Sequence, residues 1–184
     1  RVEAGTFLMA GALNGTIKVN NVIPGHLKNV TDKLTDAGCT LQIDKNSISI
    51  SSPSIIKSVD MTTAVYPGFP TDLQAQWVAL MSLSESSSIV TDTVYHDRFS
   101  HIPELSRLGA NIKVDKNTAF IRGVTQLVGA PVMSTDIRAS ASLIIAALAA
   151  SGQTEISRVY HIDRGYEKIE KKFLGLGAEI IRQS

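Results

Sequence analysis

A threefold internal repeat limits what this 184-residue chain can fold into more than any other feature. The run Ala37-Gly38-Cys39-Thr40-Leu41-Gln42-Ile43 returns as Leu108-Gly109-Ala110-Asn111-Ile112-Lys113-Val114, and again as Leu176-Gly177-Ala178-Glu179-Ile180-Ile181-Arg182. The glycines lie 71 and then 68 residues apart. The turn that follows is copied as well: Asp44-Lys45-Asn46-Ser47 matches Asp115-Lys116-Asn117-Thr118. A steady period of this length means one supersecondary unit used three times, with boundaries near 1–59, 60–126 and 127–184 of a single domain.

Each copy spells the same unit. Leu27, Val30, Leu34 and Ala37 share a helical face, and Gly38 follows where a left-handed cap belongs. Leu41 and Ile43 then alternate with polar residues, and the Asp-Lys-Asn turn leads into Ser47-Ile48-Ser49-Ile50, which predicts a hairpin. The second copy repeats this with Ile102, Leu105 and Leu108, then Ile112 and Val114, then Ala119 and Ile121. The third has Ile169, Phe173 and Leu176 on its helix, with Glu167 and Lys171 at i,i+4 spacing, and reaches Ser184 without a return strand. Upstream of each unit runs a nearly all-apolar segment, Phe7 to Leu13, Leu73 to Leu83 and Ile137 to Ala150, which predicts three buried central helices. Short β-branched runs follow them. The predicted class is α/β, with helix-strand-helix-strand-strand used three times.

Composition removes several kinds of function. Charge is nearly balanced at +1 and aromatics make up 5%, so there is neither a basic stripe nor a stacking platform for nucleic acid. The longest apolar run, Ala139 to Ala150, is too short to span a bilayer, and no signal peptide is seen. One cysteine, Cys39, excludes an internal disulfide and fits a cytoplasmic setting. It fills the slot of Ala110 and Ala178, which marks it as a small core residue and not a nucleophile. His26, His96, His101 and His161 show no metal-ligand spacing, and no phosphate-binding glycine loop occurs, so no metal or cofactor is expected. The chain opens at Arg1-Val2 without a methionine, as an excised or processed piece would.

The repeat also points to a polar rim. Thr71-Asp72-Leu73-Gln74 and Thr135-Asp136-Ile137-Arg138 open the second and third central helices. The loops beyond the next strands read Val94-Tyr95-His96-Asp97-Arg98 and Val159-Tyr160-His161-Ile162-Asp163-Arg164. For Asp72 and Asp136 two roles stand open: helix capping, the ordinary one for Thr-Asp, and acceptance of a proton from a positioned hydroxyl. For Arg164 the alternatives are an exposed helix-start arginine, paired or not with Asp163, and a guanidinium fork for a carboxylate or phosphate. His96 and His161 read as hinge or packing residues. The residues alone lead to a three-repeat α/β domain with an anion-binding rim.

Longer segments add a resemblance. Phe69-Pro70-Thr71-Asp72-Leu73-Gln74-Ala75-Gln76, Arg98-Phe99, Glu104 to Ala110, Gly129-Ala130-Pro131-Val132, Thr135 to Ser140 and Tyr160 to Glu167 resemble the enolpyruvyl transferase family. The likeness covers essentially the whole chain, and these segments resemble the branch acting on UDP-N-acetylglucosamine more than the shikimate branch. It implies an inside-out α/β barrel, with buried helices and outward sheets, that forms the C-terminal half of a two-domain protein. It also implies transfer of enolpyruvyl from phosphoenolpyruvate to the sugar 3-hydroxyl by addition and elimination, in the cytoplasmic synthesis of peptidoglycan precursors for cell wall, shape and division.

By that resemblance Asp72 takes or orients the hydroxyl proton, Val94 contacts the nucleotide sugar and Arg164 binds phosphoenolpyruvate. Arg98, Asp136, Arg138 and His161 support them at the cleft. The family's general-acid cysteine, a lysine and further arginines belong to the other, N-terminal domain, so the chain is expected to be inactive alone. The rivals are a shikimate-type transferase domain and a non-catalytic binding domain of the same fold.

Overall fold

A computed structural model describes residues 1–183. Its centre is three helices: α1 (Val2–Leu13), α3 (Gln74–Met81) and α5 (Ile137–Ala149). Every residue of α3 is buried, as are residues 4–12 of α1 and 139–146 of α5. A helix apolar on all sides is stable only when surrounded by protein, and here each contacts the other two. Small residues let them approach. A Cβ added to Gly5 would lie 2.4 Å from Cδ1 of Leu73, so glycine sets the distance between α1 and the start of α3.

The peripheral helices are α2 (Lys28–Asp36), α4 (Ile102–Arg107) and α6 (Ile169–Gly175). Their ends show the repeat at atomic detail. Gly38, Gly109 and Gly177 have φ of +98°, +93° and +93°. The next amide returns to the helix each time: Cys39 to Leu34 O, Ala110 to Leu105 O and Ala178 to Phe173 O, at 3.0, 3.1 and 3.0 Å. This closes the carbonyls that a helix end leaves open, and a side chain would strain the cap.

Sheets form the outside. In the first, β3 (Ser47–Ser51) lies between β1 (Thr16–Asn20) and β2 (Thr40–Ile43), all antiparallel, with Leu41 opposite Ile50 and Ile43 opposite Ile48. The second repeats this with β7 (Thr118–Arg122) between β5 (Ser87–Thr91) and β6 (Asn111–Asp115). It adds β4 (Met61–Thr62), parallel to β5. The third sheet is only β8 (Pro131–Met133) and β9 (Glu155–Ser157), again parallel. The middle strands carry the inward residues Ile48, Ile50, Ala119 and Ile121, all at most 1% exposed. Buried helices inside outward sheets make this an inside-out α/β barrel.

The structure corrects the sequence reading in five places. The second copy begins with a strand, β4, and the third with β8, so the fullest unit is strand-helix-strand-helix-strand-strand. In the third copy the run after Gly177 forms no strand: residues 178–183 are irregular. Leu176 is 50% exposed, while Ala37 and Leu108 in its place are covered. Finally, Lys168 is left-handed at φ +46° and α6 starts only at Ile169, so Glu167 is outside the helix and forms no ion pair with Lys171. α1 also starts earlier than its apolar run indicates, at Val2.

Candidate functional site

Two equivalent sequences, Thr71-Asp72 and Thr135-Asp136, fold differently, and the site depends on the difference. Asp136 is the N-cap of α5, and its Oδ1 accepts from the amides of Arg138 and Ala139 at 2.7 and 3.1 Å. Burial pushes its carboxyl upward, but the Ala139 and Arg138 amides, the Arg138 charge and Ser100 outweigh this and leave it below the ordinary value. The capping role therefore holds for Asp136. Asp72 caps nothing: Pro70 precedes a 3-10 turn, Thr71–Leu73, and α3 starts one residue later, with Leu73 at its N-cap position. The Asp72 side chain is left free to face the rim.

Asp72 binds two arginines there. Nη1 of Arg98 and Nε of Arg138 both donate to its Oδ1, at 3.3 and 3.1 Å. Its Oδ2 has no hydrogen-bond partner among the described residues, and the side chain remains 41% exposed. Arg98 is also held by Thr71 Oγ1 at 2.9 Å and lies over the Tyr95 ring, with Cζ 3.6 Å from the centroid. Arg138 reaches back to Asp136 with Nη1 at 3.7 Å. Asp72, Arg98, Arg138 and Asp136 thus form one continuous cluster.

A hollow of about 100 Å³ adjoins it, lined by Asp72, Thr71, Val94, Tyr66 and Arg1 among others. Val94 thus lines the same hollow as Asp72. Arg1 lines the hollow too; it lies 5.9 Å from the Tyr66 ring centroid, a contact with no local sequence signal. A larger hollow of about 680 Å³ lies between β1 and α6. It borders the edge of β1 left unpaired among the described residues and, although Arg1 lines it too, holds none of the acid–arginine cluster.

Arg164 and His161 lie on a 3-10 turn, Val159–Arg164, packed against α5. Ile162 buries beneath the turn, and a Cβ on Gly165 would meet Ile137 Cδ1 at 2.4 Å, so the turn sits tightly on the first residue of α5. Arg164 is exposed and makes no side-chain hydrogen bond or ion pair among the described residues. Asp163 pairs instead with Arg182 at 2.7 Å, which removes the local Asp163–Arg164 pairing. His161 only stacks on Tyr160, ring centroids 4.3 Å apart, as a packing residue does. Cys39 is 5% exposed and burial raises its thiol to about 11, so it is no nucleophile.

An acid with one open oxygen between two guanidiniums, and an unpaired arginine on a firm turn, can orient a hydroxyl and hold oxyanions. Among the described residues no group of three metal-ligating side chains occurs, and no helix is long and apolar enough to cross a membrane.

Known proteins share this arrangement of elements. The family model for EPSP synthase (3-phosphoshikimate 1-carboxyvinyltransferase) matches residues 1–173. UDP-N-acetylglucosamine 1-carboxyvinyltransferase of Pelodictyon phaeoclathratiforme is 55% identical over all 184 residues, and that of Myxococcus xanthus 49%. The chain spans only 43% and 44% of their lengths. The enolpyruvyl transferase NikO from Streptomyces tendae superposes with a TM-score of 0.88 at 26% identity, over 97% of this chain and 43% of that one. EPSP synthase from Acinetobacter baumannii, 18% identical with a TM-score of 0.62 over 83% of this chain and 38% of its own, shares the fold. This chain belongs to the EPSP synthase family, the enolpyruvyl transferases.

Proposed function

We propose that this chain is the C-terminal wall of the cleft in a longer cytoplasmic enzyme that transfers enolpyruvyl from phosphoenolpyruvate to the 3-hydroxyl of UDP-N-acetylglucosamine, and that it is inactive alone. The reading is supported by whole-chain identity of 49–55% to relatives named for that transfer. The observation that carries it is the open Oδ2 of Asp72, whose other oxygen is held by Arg98 and Arg138.

In this reading Oδ2 accepts the hydrogen of the sugar 3-hydroxyl as its oxygen bonds to C2 of phosphoenolpyruvate. C3 takes a proton from an acid on the missing N-terminal domain. Loss of a C3 proton and of phosphate then completes the exchange. Arg164 presents its guanidinium to phosphoenolpyruvate, and Val94 borders the nucleotide sugar. Arg98, Arg138 and Asp136 keep Asp72 in position, while His161 packs the Arg164 turn.

Phosphate release from phosphoenolpyruvate tests this, using the 184-residue chain and a full-length protein that carries it. Release is expected from the full-length protein with the UDP-sugar, and background release from the chain. Turnover by the chain alone would overturn the half-enzyme reading. Turnover with shikimate 3-phosphate in place of the UDP-sugar would make it a shikimate-type domain. Binding without turnover by the full-length protein would make it a binding domain.

A further inference from the structure

Asp92, at the end of β5, is fully buried and neither lines the hollow nor touches Asp72. A buried carboxylate is tolerated only when donors surround it, and Asp92 has four. Oδ1 accepts from Thr63 Oγ1 at 2.7 Å and from the amides of Val94 and Tyr95 at 3.0 and 2.8 Å. Oδ2 accepts from Thr71 Oγ1 at 2.6 Å. Because the Thr71 hydrogen is committed to Asp92, its oxygen lone pairs face Arg98, whose Nη1 donates to it at 2.9 Å and to Asp72 Oδ1 at 3.3 Å. The two oxygens of Asp92 thus serve two sides of the hollow. One fixes the Val94–Tyr95 backbone; the other fixes the rotor that aims Arg98 at Asp72.

We infer that Asp92 is a positioning residue of the transfer site, acting on Asp72 through Thr71 and Arg98. The inference rests on the transferase reading above. Arg98 could otherwise turn toward solvent, since its ring contact with Tyr95 fixes the plane of the guanidinium but not which nitrogen meets Asp72. A hydroxyl that only donates to Asp92 and only accepts from Arg98 removes that freedom, and Asp92 does so from outside the hollow.

The test is a double-mutant cycle on the full-length protein, with kcat and each KM measured. Asp92→Asn keeps a carbonyl for the Oδ1 side but turns an amide donor toward Thr71, and Thr71→Val removes the rotor. Each is expected to lower kcat by between about tenfold and a hundredfold, while KM for the UDP-sugar changes less than about threefold. The double variant should be no slower than the slower single, because both break one relay. Thr71→Ser, which keeps the hydroxyl, should recover most of what Thr71→Val loses.

Multiplicative losses in the double variant would overturn the relay, as would an Asp92→Asn protein with normal kcat. If Asp92→Asn fails to fold, the contrast of Thr71→Val with Thr71→Ser decides, and equal rates for those two would overturn it. Wild-type protein inactive with both substrates would instead count against the transferase reading, so the two failures are distinguishable.

Discussion

Arg138 donates from Nε to Oδ1 of Asp72 at 3.1 Å, across 66 residues of sequence and between the openings of two repeat-equivalent helices. The contact exists because Thr71-Asp72 and Thr135-Asp136 took different local structures. Pro70 and the 3-10 turn withdraw Asp72 from capping, while Asp136 caps α5 and fixes the first turn that carries Arg138. One aspartate holds the helix, and the other receives the arginine that helix presents.

The two aspartates should therefore separate stability from turnover. Asp136→Ala loses both cap bonds and should cost about 1 kcal/mol, within the range of N-cap removals. Asp72→Ala removes no cap bond, only ion pairs to a carboxylate that is 41% exposed, and should change stability by less than about 0.5 kcal/mol. Urea unfolding of the 184-residue chain measures both. In the full-length protein Asp72→Asn should lower turnover roughly 10²–10⁴-fold, as removal of a positioned acid–base group does. Near-normal turnover would reduce Asp72 to an ion-pair residue.

The central helices, both hairpins and all three glycine caps were legible in the sequence, because each rests on local periodicity or on one φ value. The strands β4 and β8 were not. They are two and three residues long and pair in parallel with distant partners, so no alternation builds up. Asp72, Arg98 and Arg138 were legible as a rim through matched repeat positions and the family resemblance, but their contacts were not. Asp92 and Arg1 escaped entirely. Two of the four donors to Asp92, Thr63 and Thr71, lie 29 and 21 residues earlier, and no spacing rule connects them.

Tyr166 ties the Arg164 turn to the centre. Its buried hydroxyl meets Thr6 Oγ1 at 2.7 Å and Gln76 Nε2 at 3.4 Å, joining the turn to α1 and α3. Tyr166→Phe leaves these groups short of a partner and should cost about 1 kcal/mol in urea unfolding. No change in stability would mean that packing of the ring alone holds the turn.

His101 predicts an acid-sensitive fold. It is 2% exposed at the N-terminus of α4, its Nε2 has no partner among the described residues, and burial lowers it from 6.5 to about 4 against the upward pull of Asp136. Between these values the unfolded chain binds a proton that the folded protein does not. Stability should be whole above pH 6.5 and fall by about 1.4 kcal/mol per pH unit down to pH 4, where this loss levels off. Asp92 and Asp136, held below their ordinary 3.8, lose their contribution only at lower pH, as they protonate in the folded state. Unfolding midpoints between pH 7.5 and 4.5 should slope in the wild type and flatten in His101→Leu. Equal slopes would assign the acid sensitivity to another group.

Arg164 offers the sharpest test of the anion rim. Its guanidinium is exposed and has no partner among the described residues, while Ile162, Gly165 and Tyr166 hold its backbone against the central helices. Such an arginine contributes little to the fold, so its replacement should leave unfolding of the chain unchanged. Phosphoenolpyruvate carries a carboxylate and a phosphate, and a planar fork can grip either with two parallel bonds. Lysine keeps the charge and loses the fork. In the full-length protein Arg164→Lys should lower kcat/KM for phosphoenolpyruvate by about tenfold to 150-fold, the equivalent of one charge-assisted contact of roughly 1.5–3 kcal/mol. KM for the UDP-sugar should change little, because on the proposed reading that substrate is met at Asp72 and Val94 and not at Arg164. Steady-state kinetics with each substrate varied in turn separates the two. Unchanged phosphoenolpyruvate kinetics would make Arg164 an ordinary exposed arginine and move the anion site elsewhere on the rim.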